Sequence, residues 1–179
     1  MKQFKNRNDL IRSLGLNMVV CEIGVFRGEF SKFIFHEILP KELHLVDIFQ
    51  GVTLSGDKDG NNIIWTDIGL EYENLKNFFS NDKNVFIHKG RSTEILSKFD
   101  DEYFDMIYID GDHGYEGVMV DLQISYKKVK KGKFICGHDY TYTKFPDVYN
   151  AVNDFVKEKN LMIDSISNDG CPSFLIQKI

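Results

Sequence analysis

The sequence is poor in cysteine, and its cysteines form no pattern that would indicate cross-linking. There are three, Cys21, Cys136 and Cys171. The first two lie inside apolar, strand-like runs, where a reduced thiol behaves as a small hydrophobic side chain. We therefore expect neither a disulfide framework nor a zinc site.

Long apolar runs and an excess of positive charge are also missing. No run approaches the roughly 20 apolar residues that span a bilayer, and the start "MKQFKNRNDL" is polar where a secretory signal has an apolar centre. The 22 Lys and Arg residues are outnumbered by 27 Asp and Glu residues, which gives a net charge of -5. Such a chain has no overall field that attracts phosphate backbones. We expect a cytoplasmic protein that binds neither membranes nor nucleic acid.

The chain does contain five short apolar runs that alternate with helical patterns. A length of 179 residues, 42% of them hydrophobic, suits one core better than two, so we expect a single domain over residues 1–179. Runs with nearly continuous apolar character are typical of strands that are buried on both faces of a parallel sheet. The runs are "NMVVCEIGV", "ELHLVDIF", "NVFIHKG", "FDMIYIDGD" and "KFICGHDY". Apolar residues at helical spacing follow, with helices expected around Phe30, Leu75, Tyr115 and Pro146.

Two further apolar runs near the C-terminus are too close together for a helical crossover. "LMIDSIS" and "PSFLIQKI" are separated only by "NDGC", so they should pair antiparallel. The pattern predicts an α/β fold: a doubly wound, mostly parallel, seven-stranded Rossmann-like sheet with a C-terminal antiparallel hairpin.

One long segment, residues 50–69, lacks a clear pattern, and long loops in compact domains are often functional. We expect it to act as a lid, with Trp65 helping to select the acceptor. Its Asp57, Asp59, Asn61 and Asn62 do not fit the spacing of a twelve-residue calcium loop, and a solvated turn explains them better.

Ligands of such sheets bind beyond the carboxyl ends of the strands, and the first two strands end in suggestive residues. Glu22 and Gly24 end the first strand, and Gly28 opens the following helix, so the backbone can approach a ligand closely. Asp47 ends the second strand, where an acid commonly accepts the hydroxyls of a ribose. A tight strand-to-helix turn and a capping Asp are the alternative interpretations. Together the features favour a nucleoside-bearing cofactor.

Four segments resemble the successive motifs of class I S-adenosylmethionine-dependent methyltransferases: "CEIGVFRGEF", "LHLVDIF", "FDMIYIDGDHGYEGVMVDL" and "GKFICGHDY". The resemblance is to the small-molecule O-methyltransferase branch, which includes sugar- and catechol-modifying enzymes that bind a divalent metal. It implies that Glu22, Gly24 and Gly28 line the methionine and ribose parts of the cofactor and that Asp47 holds the ribose hydroxyls.

The resemblance also implies an adenine subsite, and this chain departs from the family pattern there. Arg91 and Ser92 of "KGRS" are expected near the adenine, and Asp110 is expected to line the cofactor pocket. Many relatives have an acid in place of Arg91 and a glycine in place of Phe26.

Acidic and histidine side chains follow the fourth and fifth strands, whose ends should converge. The resemblance maps metal-binding carboxylates onto Asp110 and Asp139, and relatives have an acid where His138 stands. The expected ligands are Asp110, His138 and Asp139, for Mg²⁺ or another divalent ion that tolerates imidazole. His113 is the candidate general base and Asp112 the second candidate; alternatively, His113 caps the next helix or binds Asp110.

These features predict an enzyme that transfers a methyl group from S-adenosylmethionine to a hydroxyl oxygen of a small polar acceptor, such as a sugar, a polyketide or a catechol-like molecule. Two alternatives stay open. One is an NAD-dependent oxidoreductase, although "EIGVFRG" has only the outer glycines of the usual G-x-G-x-x-G pattern. The other is a non-catalytic scaffold that binds the cofactor. Because the chain has little room for a substrate cap, we also expect a homo-oligomer whose partner subunit completes the pocket.

Overall fold

A computed structural model describes residues 1–56 and 63–179, which form ten strands and six helices. The strands are β1 (Lys2–Phe4), β2 (Val19–Ile23), β3 (Glu42–Asp47), β4 (Val52–Gly56), β5 (Ile63–Asp67), β6 (Val85–Lys89), β7 (Phe104–Ile109), β8 (Val129–Gly137), β9 (Ser165–Ser167) and β10 (Phe174–Gln177). The helices are α1 (Arg7–Arg12), α2 (Glu29–Ile38), α3 (Ile68–Phe78), α4 (Ser92–Leu96), α5 (Tyr115–Lys128) and α6 (Pro146–Glu158).

The main sheet confirms the predicted fold class. Its strands are ordered β1, β9, β10, β8, β7, β2, β3 and β6. The five strands from β8 to β6 are parallel to one another, whereas β10 is antiparallel to both β8 and β9. The strand order reverses beside β2, because the chain continues from β2 to β3 on one side and later places β7 on the other. A crevice opens at such a reversal point.

Within the described residues, two features differ from the expectation. The main sheet has eight strands rather than seven, because β1 pairs in parallel with β9 through Lys2 and Ser165. Three residues with mostly polar side chains carry too weak a pattern to be recognised as a strand. Residues 50–69 are also not irregular throughout: β4 and β5 pair antiparallel, with Leu54 opposite Trp65. The residues that crowd the calcium-like turn, at 57–62, lie outside the described part of the chain.

The core lies on both faces of the sheet, as a doubly wound fold requires. On one face the strands pack against Leu96 of α4, Leu122 of α5 and Phe155 of α6. On the other face they pack against Leu10 of α1 and against α2 and α3, and this second cluster includes Ile34 and Leu75. No helix in the described ranges is long and apolar enough to cross a membrane.

Candidate active site

A cleft of about 910 Å³ opens at the carboxyl ends of the parallel strands. Its walls come from the segments that follow β2, β3, β6 and β7, from the first turns of α5, and from Asp139 after β8. Every residue assigned to the cofactor from the sequence lines this cleft except Gly28, which stands beside it as the N-cap of α2. The fold therefore brings the predicted residues together at one place.

Gly24 is required by the close approach of two strand ends. Its φ of +86° lies in the left-handed region, and a β-carbon at this position would stand 2.0 Å from the carbonyl oxygen of Asp110. No side chain can be accommodated at that distance, so only glycine can keep the end of β2 against the end of β7. The floor of the cleft is consequently bare backbone.

Phe26, two residues after Gly24, has the left-handed backbone conformation that glycine adopts most easily. Its φ is +52°, a region that costs other residues roughly 1–2 kcal/mol. This conformation explains why a glycine suits the position in relatives of the resembled family. The loop is held by Asp47, whose Oδ2 accepts hydrogen bonds from the backbone N–H of Val25 at 2.8 Å and of Phe26 at 3.0 Å. The other oxygen, Oδ1, accepts one from Phe49 N–H at 2.8 Å.

Asp47 therefore braces the loop after β2, a contact that the sequence did not reveal. Because Oδ2 already accepts two hydrogen bonds, Oδ1 retains the larger free capacity for a ligand hydroxyl. The predicted contact with the ribose is compatible with this geometry through Oδ1, and it stays a prediction.

Glu22 is a buried acid beneath the same loop. It is 1% exposed and accepts a hydrogen bond from the hydroxyl of Ser31. Burial raises the pKa of its carboxyl to about 8, since the hydrogen bond from Ser31 offsets only part of the desolvation. Glu22 is mostly protonated at neutral pH in the unliganded protein, so a cation bound beside it would favour release of that proton.

A second buried acid, Asp121 of α5, lies at the side of the cleft next to the predicted adenine subsite. Ser92 Oγ donates to Asp121 Oδ1, and Arg91 lines the cleft just before α4. Burial raises the pKa of Asp121 to about 6, and the nearby Asp112 raises it further. Ser92 thus makes its contact with a residue that sequence reasoning did not consider.

A chain of acidic and basic side chains crosses the ends of β7 and β8. Arg7 Nη1 lies 3.7 Å from Asp110 Oδ2, and Asp110 Oδ1 lies 3.6 Å from His138 Nδ1. His138 Nδ1 is also 3.2 Å from Asp139 Oδ1, and Asp139 Oδ2 is 2.8 Å from His113 Nε2. Four of the five residues predicted to bind metal or act as base, all except Asp112, are therefore neighbours.

The electrostatics of this row of side chains favour a charged carboxylate at Asp139 and protonation of His138 and His113. Burial by itself would lower the pKa of His138, but hydrogen bonds with Asp110 and Asp139 outweigh it and raise the pKa to about 9. Burial would raise the pKa of Asp139, but the hydrogen bonds from His113 and His138 hold it well below its usual range. The hydrogen bond with Asp139 also raises the pKa of His113. Asp139 is 6% exposed and has a φ of +58°, a conformation that Asp tolerates better than most residues.

Asp112, the second candidate base, instead supports the start of α5. Its Oδ1 accepts a hydrogen bond from Gly114 N–H at 2.8 Å, and a β-carbon at Gly117 would stand 2.3 Å from its Oδ2. These contacts turn both of its carboxylate oxygens toward the helix. His113, which points toward Asp139, fits the role of base better.

Comparison with known proteins decides the family. The sequence profile of a family described as "Methyltransferase domain" matches residues 21–140. These residues include the segments after β2, β3, β6 and β7 that line the cleft, and Asp139. The chain belongs to this methyltransferase family. A protein of Acanthamoeba polyphaga mimivirus that is described as uncharacterized is 33% identical over 132 residues, or 63% of this chain. The match spans only 58% of the viral protein's length.

Solved methyltransferases share the fold of this methyltransferase at low sequence identity. A putative methyltransferase from Streptococcus mutans in complex with S-adenosylhomocysteine is 15% identical, with a TM-score of 0.64 over 97% of this chain and 96% of that one. The O-methyltransferase NovP is 18% identical, with a TM-score of 0.63 over 96% of this chain and 79% of that one. Structures described as N-methyltransferases and RNA methylases also share the fold. The profile shows the methyltransferase family and the solved structures show the fold, which O-, N- and RNA methyltransferases share.

The cleft of this methyltransferase fits the cofactor that the family implies. Gly24 keeps the floor of the cleft free of a side chain, and the buried Glu22 and Asp121 offer acceptors that are shielded from water. The cleft volume of about 910 Å³ lies in the range of small-molecule and cofactor sites.

The strand-end acids also fit a divalent metal ion by the chemistry of their donors. Asp110, His113 and Asp139 offer ligand atoms that all lie within 4.8 Å of one another, and His138 contacts both carboxylates. Two carboxylates with an imidazole suit ions such as Mn²⁺ or Fe²⁺, and a larger share of water ligands would suit Mg²⁺. The group that the structure brings together contains His113 in addition to the predicted His138.

Sequence reasoning missed two residues of the cleft, Arg7 and Asp121. Arg7 comes from α1, and its guanidinium lies 4.3 Å from the ring centroid of Phe30. The N-terminal segment has no motif that singles out Arg7. Asp121 did carry a signal, because it falls between Val118 and Leu122 on the apolar face of the predicted helix, where a charged side chain is unexpected.

Proposed function

We propose that this methyltransferase transfers the methyl group of S-adenosylmethionine to a hydroxyl oxygen of a small polar acceptor, such as a sugar, a polyketide or a catechol-like molecule. The observation that carries the proposal is the hydrogen bond of 2.8 Å between His113 Nε2 and Asp139 Oδ2 at the mouth of the cleft. A hydroxyl group needs a base, since its oxygen becomes a good nucleophile only as its proton leaves.

The contact with Asp139 defines which nitrogen of His113 acts as the base. A carboxylate only accepts hydrogen bonds, so in the neutral form of His113, the form that acts as a base, Nε2 carries the proton and Nδ1 has the lone pair. The side chain of His113 is 46% exposed, so an acceptor can reach it. In the proposed reaction the acceptor oxygen forms a bond to the methyl carbon, the bond between that carbon and sulfur breaks, and the hydroxyl proton moves to His113 Nδ1. Asp139 stabilises the resulting imidazolium.

The remaining residues of the cleft bind and orient the reactants. S-adenosylmethionine supplies an already activated methyl group, so alignment contributes much of the catalysis. Glu22 and Gly24 line the methionine and ribose parts, and Asp47 binds a ribose hydroxyl through Oδ1. Gly28 stands beside the cleft and is the N-cap of α2. Arg91 and Ser92 lie beside the adenine, and Asp110 closes the pocket next to the methyl group.

A divalent ion would assist the same chemistry by lowering the pKa of the acceptor hydroxyl and fixing its position. Asp110 and Asp139 are its proposed carboxylate ligands. His138 is the third, which leaves His113 free to act as the base. Mg²⁺, or another divalent ion that accepts an imidazole ligand, is the proposed metal.

The two alternatives have weaker support. An NAD-dependent oxidoreductase is not favoured, because the matching family is one of methyltransferases. A non-catalytic scaffold would be supported only if the protein bound S-adenosylhomocysteine and methylated nothing. The single domain over residues 1–179, the cytoplasmic location, the homo-oligomer and the absence of nucleic-acid and membrane partners stay predictions.

The proposed reaction can be tested with an extract of small molecules. Purified protein and isotope-labelled S-adenosylmethionine are incubated with the extract, with and without Mg²⁺, and products are identified by mass spectrometry. We expect label on a hydroxyl oxygen, and we expect His113→Ala to slow its appearance about 100-fold, the scale of a general base, without weakening S-adenosylhomocysteine binding. His36→Ala, an exposed histidine of α2, is the matched control. Label found only on nitrogen or carbon, or an unchanged rate in His113→Ala, would contradict the proposal.

A further inference from the structure

Two histidines lie outside the cleft, where β3 and β6 are neighbours at one edge of the main sheet. His44 Nδ1 is 3.0 Å from His88 Nε2, and the two ring planes differ by only 11°. This separation is that of a direct hydrogen bond between the rings. His44 and His88, called the histidine pair below, therefore join the two strands through their side chains as well as through the backbone.

The contact of His44 with Glu42 defines where the protons of the histidine pair lie. His44 Nε2 is 3.3 Å from Glu42 Oε2. Since a carboxylate only accepts hydrogen bonds, a neutral His44 has its proton on Nε2 and its lone pair on Nδ1. His88 must then donate from Nε2 and has its own lone pair on Nδ1. An added proton consequently goes to Nδ1 of His88, because the lone pair of His44 is already engaged.

Aromatic side chains replace much of the water around the histidine pair. The ring centroid of His44 is 4.8 Å from that of Phe86, 4.9 Å from that of Phe99 and 5.5 Å from that of Phe104. The centroid of His88 is 5.9 Å from that of Phe99. His44 is 4% exposed, and His88 is half-buried. A neutral imidazole is tolerated at such a site, whereas an imidazolium loses hydration there.

Within the described residues, two charged side chains act on the histidine pair in opposite directions. From β3, Glu42 favours a proton on His44. From the connection between α4 and β7, Lys98 opposes a charge on His88. The hydroxyl of Tyr103, in the same connection, donates to Glu42. Burial, together with His44 and Lys98, lowers the pKa of His88 to about 4, and burial also lowers the pKa of His44 although Glu42 acts against it.

The histidine pair fastens a strand that leads directly into the cleft. In the described part of the chain, β6 is the last strand of the main sheet, with β3 beside it. One residue after β6 the chain reaches Gly90 and Arg91, which line the cleft. Loosening of β6 would therefore also loosen one wall of the cleft.

We propose that the histidine pair is an acid-sensitive switch: at neutral pH it holds β6 against β3, and protonation of His88 drives its ring out of the aromatic site and releases this edge of the sheet. The physical cause is the difference in hydration, since an imidazolium is more stable in water than among aromatic rings. Release of the edge is a local opening that leaves the rest of the sheet folded.

The direction of the pH effect follows from the two proton affinities of His88. Its pKa is about 4 in the folded protein against an ordinary value of 6.5, so the opened form binds the proton more tightly. The stability that the neutral ring contributes is fully present above pH 6.5 and is lost as the pH falls through about 4. Between pH 7 and pH 5 the population of the opened form should rise about 20-fold.

Amide hydrogen exchange, followed by NMR at pH 7 and pH 5 on the protein without ligand, tests the switch. Rates are corrected for the intrinsic effect of pH on exchange. The amides of β6 in the wild-type protein should lose about 20-fold in protection at pH 5, and the amides of β2, at the centre of the sheet, should lose much less. His88→Gln keeps an N–H donor for His44 but cannot be charged, so β6 should lose its pH dependence. His36→Gln, at an exposed histidine of α2, is the matched control and should behave as the wild-type protein does.

A second measurement on the wild-type protein covers the case in which His88→Gln does not fold. NMR of the histidine rings should show His88 titrating well below pH 6.5, with its proton on Nε2 at neutral pH. Titration of His88 near pH 6.5 would overturn the inference. So would unchanged protection of β6 at pH 5, the same pH dependence in His88→Gln as in the wild-type protein, or equal losses in β2 and β6. Because no ligand is used, none of these results depends on the proposed function.

Discussion

His113 Nε2 lies 2.8 Å from Asp139 Oδ2, and this contact joins the ends of two neighbouring parallel strands. Asp139 is buried and His113 is half exposed, so the carboxylate orients the imidazole from the protein side. Asp139 also contacts His138, which links the pair to Asp110. The fold therefore brings the candidate base and the candidate metal ligands together.

Substitution of Gly24 tests the close approach of β2 and β7. Gly24→Ala should lower the free energy of unfolding by about 3 kcal/mol or more, because the new methyl group combines an unfavourable φ with a steric clash. Gly132→Ala is the matched control, since Gly132 has a similar φ of +73° but nothing within 4 Å of an added β-carbon. Gly132→Ala should lower the free energy of unfolding by about 1–2 kcal/mol. Urea unfolding measures both values, and equal losses would contradict the role given to Gly24.

Substitution of Asp47 tests its support of the loop after β2. Asp47→Ala leaves the N–H groups of Val25, Phe26 and Phe49 without their acceptor. We expect a loss of about 1–3 kcal/mol in the free energy of unfolding, together with weaker binding of S-adenosylhomocysteine by calorimetry. Asp100→Ala, at an exposed position, should change neither quantity. If Asp47→Ala leaves stability unchanged and lowers only the affinity, the carboxylate binds ligand without supporting the loop.

The buried Glu22 makes stability depend on pH. Its pKa is about 8 in the folded protein against an ordinary value of 4.5, so the folded state holds a proton that the unfolded state releases between these values. The stability that this proton contributes is fully present below pH 4.5 and is lost as the pH rises through 8. Glu22→Gln stays neutral throughout, so its stability relative to the wild-type protein should increase with pH across that window. Parallel pH profiles of unfolding for the two proteins would refute the raised pKa.

The proposed metal site predicts separate effects on metal and on cofactor binding. Mn²⁺ binding, followed by electron paramagnetic resonance, should be lost in Asp110→Asn and Asp139→Asn, which each remove a charged oxygen ligand. His138→Ala should weaken Mn²⁺ binding, and His113→Ala should leave Mn²⁺ binding unchanged. All four variants should still bind S-adenosylhomocysteine. Methyl transfer should stop after chelation and return with Mg²⁺ or Mn²⁺. Full activity after exhaustive chelation would rule out the metal, and loss of Mn²⁺ binding in His113→Ala would make His113 a ligand instead of the base.

The fold could be predicted from the sequence because its strands carry strong local patterns. Continuous apolar runs such as that ending at Ile23 can be buried only between two layers, and the spacing from Tyr115 onward fits one helix. The strand β1 was missed because Lys2 and Gln3 are polar, and their pairing with β9 depends on a partner more than 160 residues away.

The site was predicted where its residues lie at strand ends and missed where they come from elsewhere. Glu22, Asp47, Asp110 and Asp139 each follow an apolar run directly, so the parallel sheet must bring them to one edge. Arg7 reaches the cleft only through the packing of α1. The hydrogen bonds that Asp47 accepts from the loop after β2 depend on the left-handed backbone at Phe26. Such contacts are made by tertiary structure and leave no local pattern.

The measurement that tests the central claim most directly is calorimetric titration of the purified protein with S-adenosylhomocysteine and, separately, with NAD. The cleft geometry and the family predict that S-adenosylhomocysteine binds and that NAD does not. Release of a proton should accompany the binding at neutral pH, because the cationic amino group of the ligand would lower the raised pKa of Glu22. Binding of NAD without binding of S-adenosylhomocysteine would contradict the account.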